Sequence, residues 1–451
     1  MNFVSLEFWL VLVVALLVYF LLRKFLFEKE EWDRRFVLVL SCLLFVSESF
    51  ISFTIFVALG WWVFLLLHSP NWVPERYQNF LKWFGVIVAL TPLLFFKYWY
   101  TENLIPIGLS FYTFQLLSLV FDASRSSLKV PSLREYWSFA SFFPQIVAGP
   151  IERRESLLPQ LQAFRFRWSA GDLQKGLQFI ILGFFYKLVV ADNLASSGHW
   201  ITSETNNPWI IHAANFLFGF RIYFDFCGYS LIAFGLAAAM GIRLTMNFRA
   251  PYWQTNPQNF WRCWHVSLSR WFRDYIYVPL GGKDAPYPAL AILLVFGVSG
   301  VWHGAGWNFL VWGLAHGLLL IGYRLLGNRF PMPAILAWGI TLIAMMTCWL
   351  CFYQTESEVL SSKLQTLVEV KSYLANPYRE FLRLSGGQGG LVYVVAAGII
   401  ASLVLALEGL AKSKASDPYR WSSHWGIQMF LVITTVFFAP VENNGFVYFN
   451  F

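Results

Sequence analysis

The sequence predicts an all-α polytopic membrane protein, and three observations carry that reading. Of its 451 residues, 57% are hydrophobic and only 13% charged, against about 25% charged in soluble domains. Mean hydropathy is +0.54. Apolar runs close to the ~20 residues of a spanning helix recur from one end of the chain to the other.

In order, those runs lie at 8–22, 36–50, 51–68, 80–96, 105–121, 177–190, 209–226, 230–240, 290–302, 307–325, 334–353, 391–410 and 427–440. They give about eleven to thirteen membrane segments, some of them re-entrant or bent. Residues 1–22 have no basic leader and no small-residue cleavage site, so they read as a first spanning helix and not as a removed signal peptide. Lys and Arg cluster at 23–35, 125–175, 243–249 and 412–420, whereas 1–7, 192–207 and 441–451 carry none. The positive-inside rule then places the basic loops in the cytoplasm and both termini outside. The net charge of +8 suits an anionic inner leaflet, and nothing in it asks for nucleic acid.

No linker or internal repeat divides the chain, so 1–451 reads as one integrated membrane domain. The polar stretch 354–390 reads as an extracytoplasmic loop with some amphipathic helix. Its Gly386-Gly-Gln-Gly-Gly390 is a turn, because the Lys-Ser/Thr of a phosphate loop does not follow. Of five cysteines, Cys348 and Cys351 lie on one apolar run with no second pair to complete a zinc site, and no histidine spacing or acidic cluster supports a metal.

Two histidines stand in apolar surroundings. An imidazole inside a bilayer costs free energy unless it faces a cavity or a partner, which makes it a functional-site hypothesis by default. His265 lies in Asn259-Phe-Trp-Arg-Cys-Trp-His-Val-Ser-Leu-Ser-Arg-Trp-Phe-Arg-Asp274. Asn256 or Asn259 caps a predicted helix there, and Pro279 with Gly281 and Gly282 ends it. Trp261, Trp264, Leu268, Trp271 and Tyr275 form one aromatic stripe, with Arg262, His265, Ser269 and Arg273 largely off it. Such a helix either lies at the interface with snorkelling arginines or dips beside a polar cavity. His303 lies in Val298-Ser-Gly-Val-Trp-His-Gly-Ala-Gly-Trp307, where small residues permit close approach and Trp302 and Trp307 form flat walls. A tight turn between packed helices fits that segment as well as a catalytic histidine does. Asp225, one turn after Arg221, is expected to pair with it, with a second possibility that it orients a catalytic group. His68, His199, His212, His316 and His424 read as structural or interfacial.

No Gly-x-Ser-x-Gly elbow and no His-x-x-x-x-Asp occurs, which sets aside α/β-hydrolases and soluble-type glycerolipid acyltransferases. A buried imidazole kept neutral can act as general base. It would deprotonate a hydroxyl or thiol attacking an acyl thioester, with nearby donors holding the oxyanion.

The segments 260–282 and 298–317 resemble the signatures of membrane-bound O-acyltransferases, and more narrowly their bacterial polysaccharide acetylation branch, typified by the alginate O-acetyltransferase membrane subunit. Pro106-Ile-Gly-Leu-Ser-Phe-Tyr-Thr-Phe-Gln115, Phe143-Pro-Gln-Ile-Val-Ala-Gly-Pro-Ile151, Phe224-Asp-Phe-Cys-Gly-Tyr-Ser230 and Gly445-Phe-Val-Tyr-Phe-Asn-Phe451 match that branch too. The resemblance is strong over about 100–325, which would be the catalytic core. It implies a ring of helices around a through-membrane tunnel, His303 as catalytic histidine and His265 as the second motif position. Trp264, Trp302, Trp307, Ser269, Arg273, Asp225 and Asn308 would line the tunnel. It further implies acetyl-CoA or another acyl thioester as donor substrate, no cofactor, a bacterial inner-membrane location and a periplasmic SGNH-type acetyltransferase as partner protein. The acceptor would be an exported glycan. Two other readings stay open: D-alanyl transfer from a carrier protein, within the same family, and a secondary transporter. The last predicts inverted repeats and several midplane carboxylates, of which Asp225 is the good candidate.

Overall fold

The computed structural model describes residues 2–69, 73–99, 106–123, 130–146, 149–167, 169–195, 198, 200, 203–327, 329, 331–415, 417–440 and 445. Every regular element among them is helical. Among the described residues, eight helices are long and apolar enough to cross a membrane: α1 (Leu6–Arg23), α3 (Phe50–His68), α4 (Glu75–Tyr98), α8 (Ala170–Ala195), α9 (Pro208–Ala239), α13 (Trp307–Leu326), α14 (Ala334–Tyr353) and α17 (Gln388–Ala415). Three shorter apolar helices join them: α5 (Leu109–Ala123), α12 (Pro288–His303) and α18 (Trp425–Phe438). The protein is thus a multi-pass membrane protein. Between these lie α2 (Lys29–Glu48), α6 (Leu133–Ala140), α7 (Arg154–Gln162), α10 (Pro257–Cys263), α11 (Val266–Phe272), α15 (Ser357–Val368) and α16 (Tyr378–Leu384). The tail segment 446–451 and His199, both singled out in the sequence, lie outside the described residues.

Two compact units are present. Among the described residues, the first comprises those of 2–180 and 229–246, the second those of 181–228 and 247–445. In the first, Asp33 is fully buried at the start of α2, where an unpaired charge would be costly. It accepts from Tyr19 at 2.6 Å, from Arg23 at 2.7 Å and from the Phe166 backbone N–H at 3.0 Å. α6 begins with a capping box, Ser132 with Glu135, as its Ser-x-x-Glu sequence requires.

The second unit is built around a tight helical hairpin, α12 with α13. A Cβ on Gly300 would stand 2.3 Å from the Phe309 carbonyl oxygen, and one on Gly313 would stand 2.2 Å from that of Phe296. Glycine is required at both positions, because any side chain would push the backbones apart. α8 contains a π-helical stretch, Phe185–Ala191, a local expansion often found at functional positions. It carries Lys187, fully buried, between Asp192 and Asp225 at 2.7 Å from each. The expected Arg221–Asp225 pairing is thereby corrected. A lysine on a neighbouring stretch of chain meets Asp225 directly, and Arg221 contributes only its field. A buried carboxylate takes whichever cation reaches it with least solvent between them, and helical spacing alone does not decide that.

Candidate active site

The predicted helix around His265 is not continuous. Asn256 caps α10, accepting from the Asn259 N–H at 2.8 Å, as its sequence anticipates. α10 then stops at Cys263, and His265 turns the chain through the left-handed region, with φ 40° and ψ 58°, before α11 starts at Val266. A π-helical turn, Arg273–Tyr277, follows, and Gly281 and Gly282 at positive φ end the segment. The break splits the aromatic stripe. Neither Pro nor Gly marks it; it is held by tertiary hydrogen bonds. Arg249 N–H donates to the Cys263 carbonyl at 3.0 Å and Val266 N–H to the Asn247 carbonyl at 2.9 Å. The Asn247 side chain accepts from the Ser267 hydroxyl at 2.7 Å and from its N–H at 3.3 Å.

His303 is the last residue of α12, placed there by the Gly300 and Gly313 contacts that bring α12 and α13 together. Its ring lies 4.5 Å from Trp302, 4.8 Å from Trp312 and 5.1 Å from Phe352. Trp307, expected as a second wall, is instead 77% exposed at the start of α13. The chain reverses at Gly304–Gly306, so α13 turns Trp307 away and presents Trp312, more than one turn later, to the histidine.

Both histidines border a single cavity of about 510 Å³, within the usual range for a small-molecule site. Ser269, Arg273 and Trp264, named from the sequence, line it too, together with Ser299 from α12. His265 is 2% exposed, with its ring 4.6 Å from Phe226. Burial pushes its imidazole down to about 3, so it is uncharged at neutral pH. The remaining charged residues among the described part of the wall are arginines: Arg249, Arg262, Arg270 and Arg324 join Arg273, and no carboxylate is among the described lining residues. All five are exposed, while both histidines are buried. Exposed arginines and buried, aromatic-walled imidazoles thus border the same cavity.

Asp225 and Asn308 do not line this cavity. Asp225 is held by Lys187. The Asn308 amide donates to the Cys351 and Phe352 carbonyls at 3.0 and 3.4 Å, closing the last turn of α14 behind Phe352. His316 packs 4.9 Å from both Trp261 and Trp312. Sequence reasoning passed over Glu408, which lies inside the apolar run 391–410. It is fully buried and accepts from the hydroxyls of Tyr186 and Tyr223, the latter at 2.7 Å, tying α17 to α8 and α9. A lone carboxylate in a spanning run was the available signal.

The arrangement offers two buried imidazoles positioned to move a proton and a set of exposed guanidinium groups suited to an anionic ligand. Comparison with known proteins identifies the family. The peptidoglycan O-acetyltransferase of Helicobacter pylori is 28% identical to this chain, covering 98% of it and 95% of its own length. The probable alginate O-acetylase AlgI of Pseudomonas aeruginosa is 30% identical over 84% of this chain and 77% of its own. The teichoic acid D-alanyltransferase of Bacillus subtilis is 31% identical over 58% and 73%. The membrane-bound O-acyltransferase family model matches residues 3–361, and the chain is therefore a member of that family and an O-acyltransferase.

Proposed function

We propose that the protein transfers an acetyl group from a cytoplasmic thioester, acetyl-CoA, toward a glycan on the far side of a bacterial inner membrane. The observation that carries this is the cavity that joins five arginines at its mouth to His265 and His303 at its base. Guanidinium groups recognise phosphate oxygens in pairs, and the nucleotide part of CoA is rich in phosphate. The pantetheine arm is slender and largely uncharged, which suits the aromatic base around Trp264 and Phe296.

In this reading His303 takes the proton of an acceptor hydroxyl as its oxygen attacks the thioester carbonyl. The new C–O bond forms, the C–S bond breaks, and the proton passes to the departing thiolate, so the step balances without a cofactor. His265, neutral and buried, orients the thioester by hydrogen bonding. Several glycans fit the acceptor role, as do a serine of a periplasmic SGNH-type acetyltransferase partner and, by way of the D-alanyl-transferring relative, a cell-wall polymer. The acetyl reading is favoured by relatives that cover more of this chain.

The test is turnover of radiolabelled acetyl-CoA by the full chain in nanodiscs. His303→Ala is expected to abolish thiol release while the protein stays folded, and His265→Ala to reduce it less. Near-wild-type release by His303→Ala would overturn the assignment. Turnover of a D-alanyl carrier thioester with none of acetyl-CoA would replace the donor.

A further inference from the structure

We infer that Asn247 is a positioning residue for the reaction, acting through His265. The inference rests on the reading of His265 as part of the active site. His265 is buried and left-handed, a conformation that strains any non-glycine residue. Strain of this kind persists only where the surroundings over-determine it, and it gathers at functional positions.

The surroundings here are specific. Asn247 is 1% exposed and meets the chain immediately after the histidine three times: its carbonyl holds Val266 N–H, and its side-chain oxygen holds both polar groups of Ser267. Ser269 closes the same turn from the other side, its N–H on the His265 carbonyl at 2.9 Å and its hydroxyl on the Trp264 carbonyl at 3.1 Å. Phe248, next to Asn247, packs 5.1 Å from Phe226, the ring against which His265 rests. Asn247 therefore fixes both the backbone that aims the imidazole and, through its neighbour, the aromatic wall behind it. With the side-chain bonds removed, the 264–267 turn can relax toward right-handed φ, and that rotation swings the imidazole away from the cavity. A leucine keeps the branched heavy-atom skeleton of asparagine but is bulkier and accepts no hydrogen bond; an aspartate keeps both the size and the acceptor.

The experiment is a double-variant cycle in nanodiscs with acetyl-CoA, reading kcat and KM from thiol release. Asn247→Leu is expected to lower kcat on the order of ten- to a hundredfold, the scale of a misplaced catalytic group, with the donor KM unchanged. Asn247→Asp should recover most of the loss. Asn247→Leu should add nothing further to His265→Ala, because both remove the same aimed ring. Losses that multiply in the double variant, or near-wild-type kcat in Asn247→Leu, overturn the inference while leaving the site reading in place. Full activity in His265→Ala overturns both. If Asn247→Leu does not fold, Ser267→Ala, which removes only one of the three contacts, carries the same cycle.

Discussion

His265 is one of three non-glycine residues at positive φ among the described residues, with Glu28 and Ala250, and the only one of these on the cavity wall. Its strain makes a stability prediction that is independent of any assay. Ala and Gly at position 265 both delete the ring and its packing on Phe226, so they differ only in how readily the backbone turns left-handed. Inside a regular helix Ala would be the more stable; here His265→Gly should exceed His265→Ala by roughly 0.5–1 kcal/mol, the left-handed penalty less the extra chain entropy that glycine loses. Thermal unfolding followed by tryptophan fluorescence measures the difference. An Ala variant as stable as the Gly variant would mean that the turn is not strained. The two histidines themselves were legible in the sequence because a titratable ring in an apolar run stands out. Which neighbours would meet them was not, since whether Trp307 or Trp312 faces His303 depends on where α13 begins.

At the scale of elements, spacing anticipated the helices whose ends carry their own chemistry, such as the Asn256 cap of α10 and the glycine stop after Tyr277. It missed the break at His265, which is held by contacts distant in sequence, and the π-helical stretch of α8. The segment after α14 shows the same division. Its polar composition read as an extracytoplasmic loop with helix, and α15 forms there, but Lys363 turns inward and is 1% exposed. It donates to Gln354 at 3.1 Å and lies 5.8 Å from the Tyr353 ring. Burial pushes its ammonium down from 10.5 to about 8, against the attraction of Glu204 and Glu356. The unfolded chain then binds more protons than the folded one between those values, so stability rises as pH climbs from about 8 toward about 10.5. Lys363→Met should flatten that rise in the thermal midpoint. Identical slopes in both proteins would show that Lys363 titrates normally in the fold.

For the whole molecule, composition alone established membrane residence, and ordered motifs established the family, because both survive without knowledge of contacts. The arginine-lined entrance was not legible. Arg249, Arg262, Arg270, Arg273 and Arg324 are scattered over 76 positions; the family resemblance places Arg273 beside the tunnel, and each of the other four taken singly reads as an interfacial side chain. Arg273 is paired with Asp274 at 2.6 Å, and no carboxylate is among the described lining residues; on the proposed reading, the remaining positive charge would attract an anionic donor before contact. Salt should therefore act on donor binding and not on the chemical step: the KM for acetyl-CoA should rise several-fold from about 50 to about 500 mM salt, as the Debye length shrinks to roughly 4 Å, while kcat stays nearly constant. S-acetylphosphopantetheine, which keeps the thioester but carries a single phosphate group, should show a shallower dependence. Arg324→Gln should flatten the acetyl-CoA dependence without altering that of kcat. Equal slopes for the two donors would mean that the arginines face lipid headgroups or a partner surface and that the donor is recognised through its apolar arm. The charge of the entrance would then belong to docking and not to catalysis.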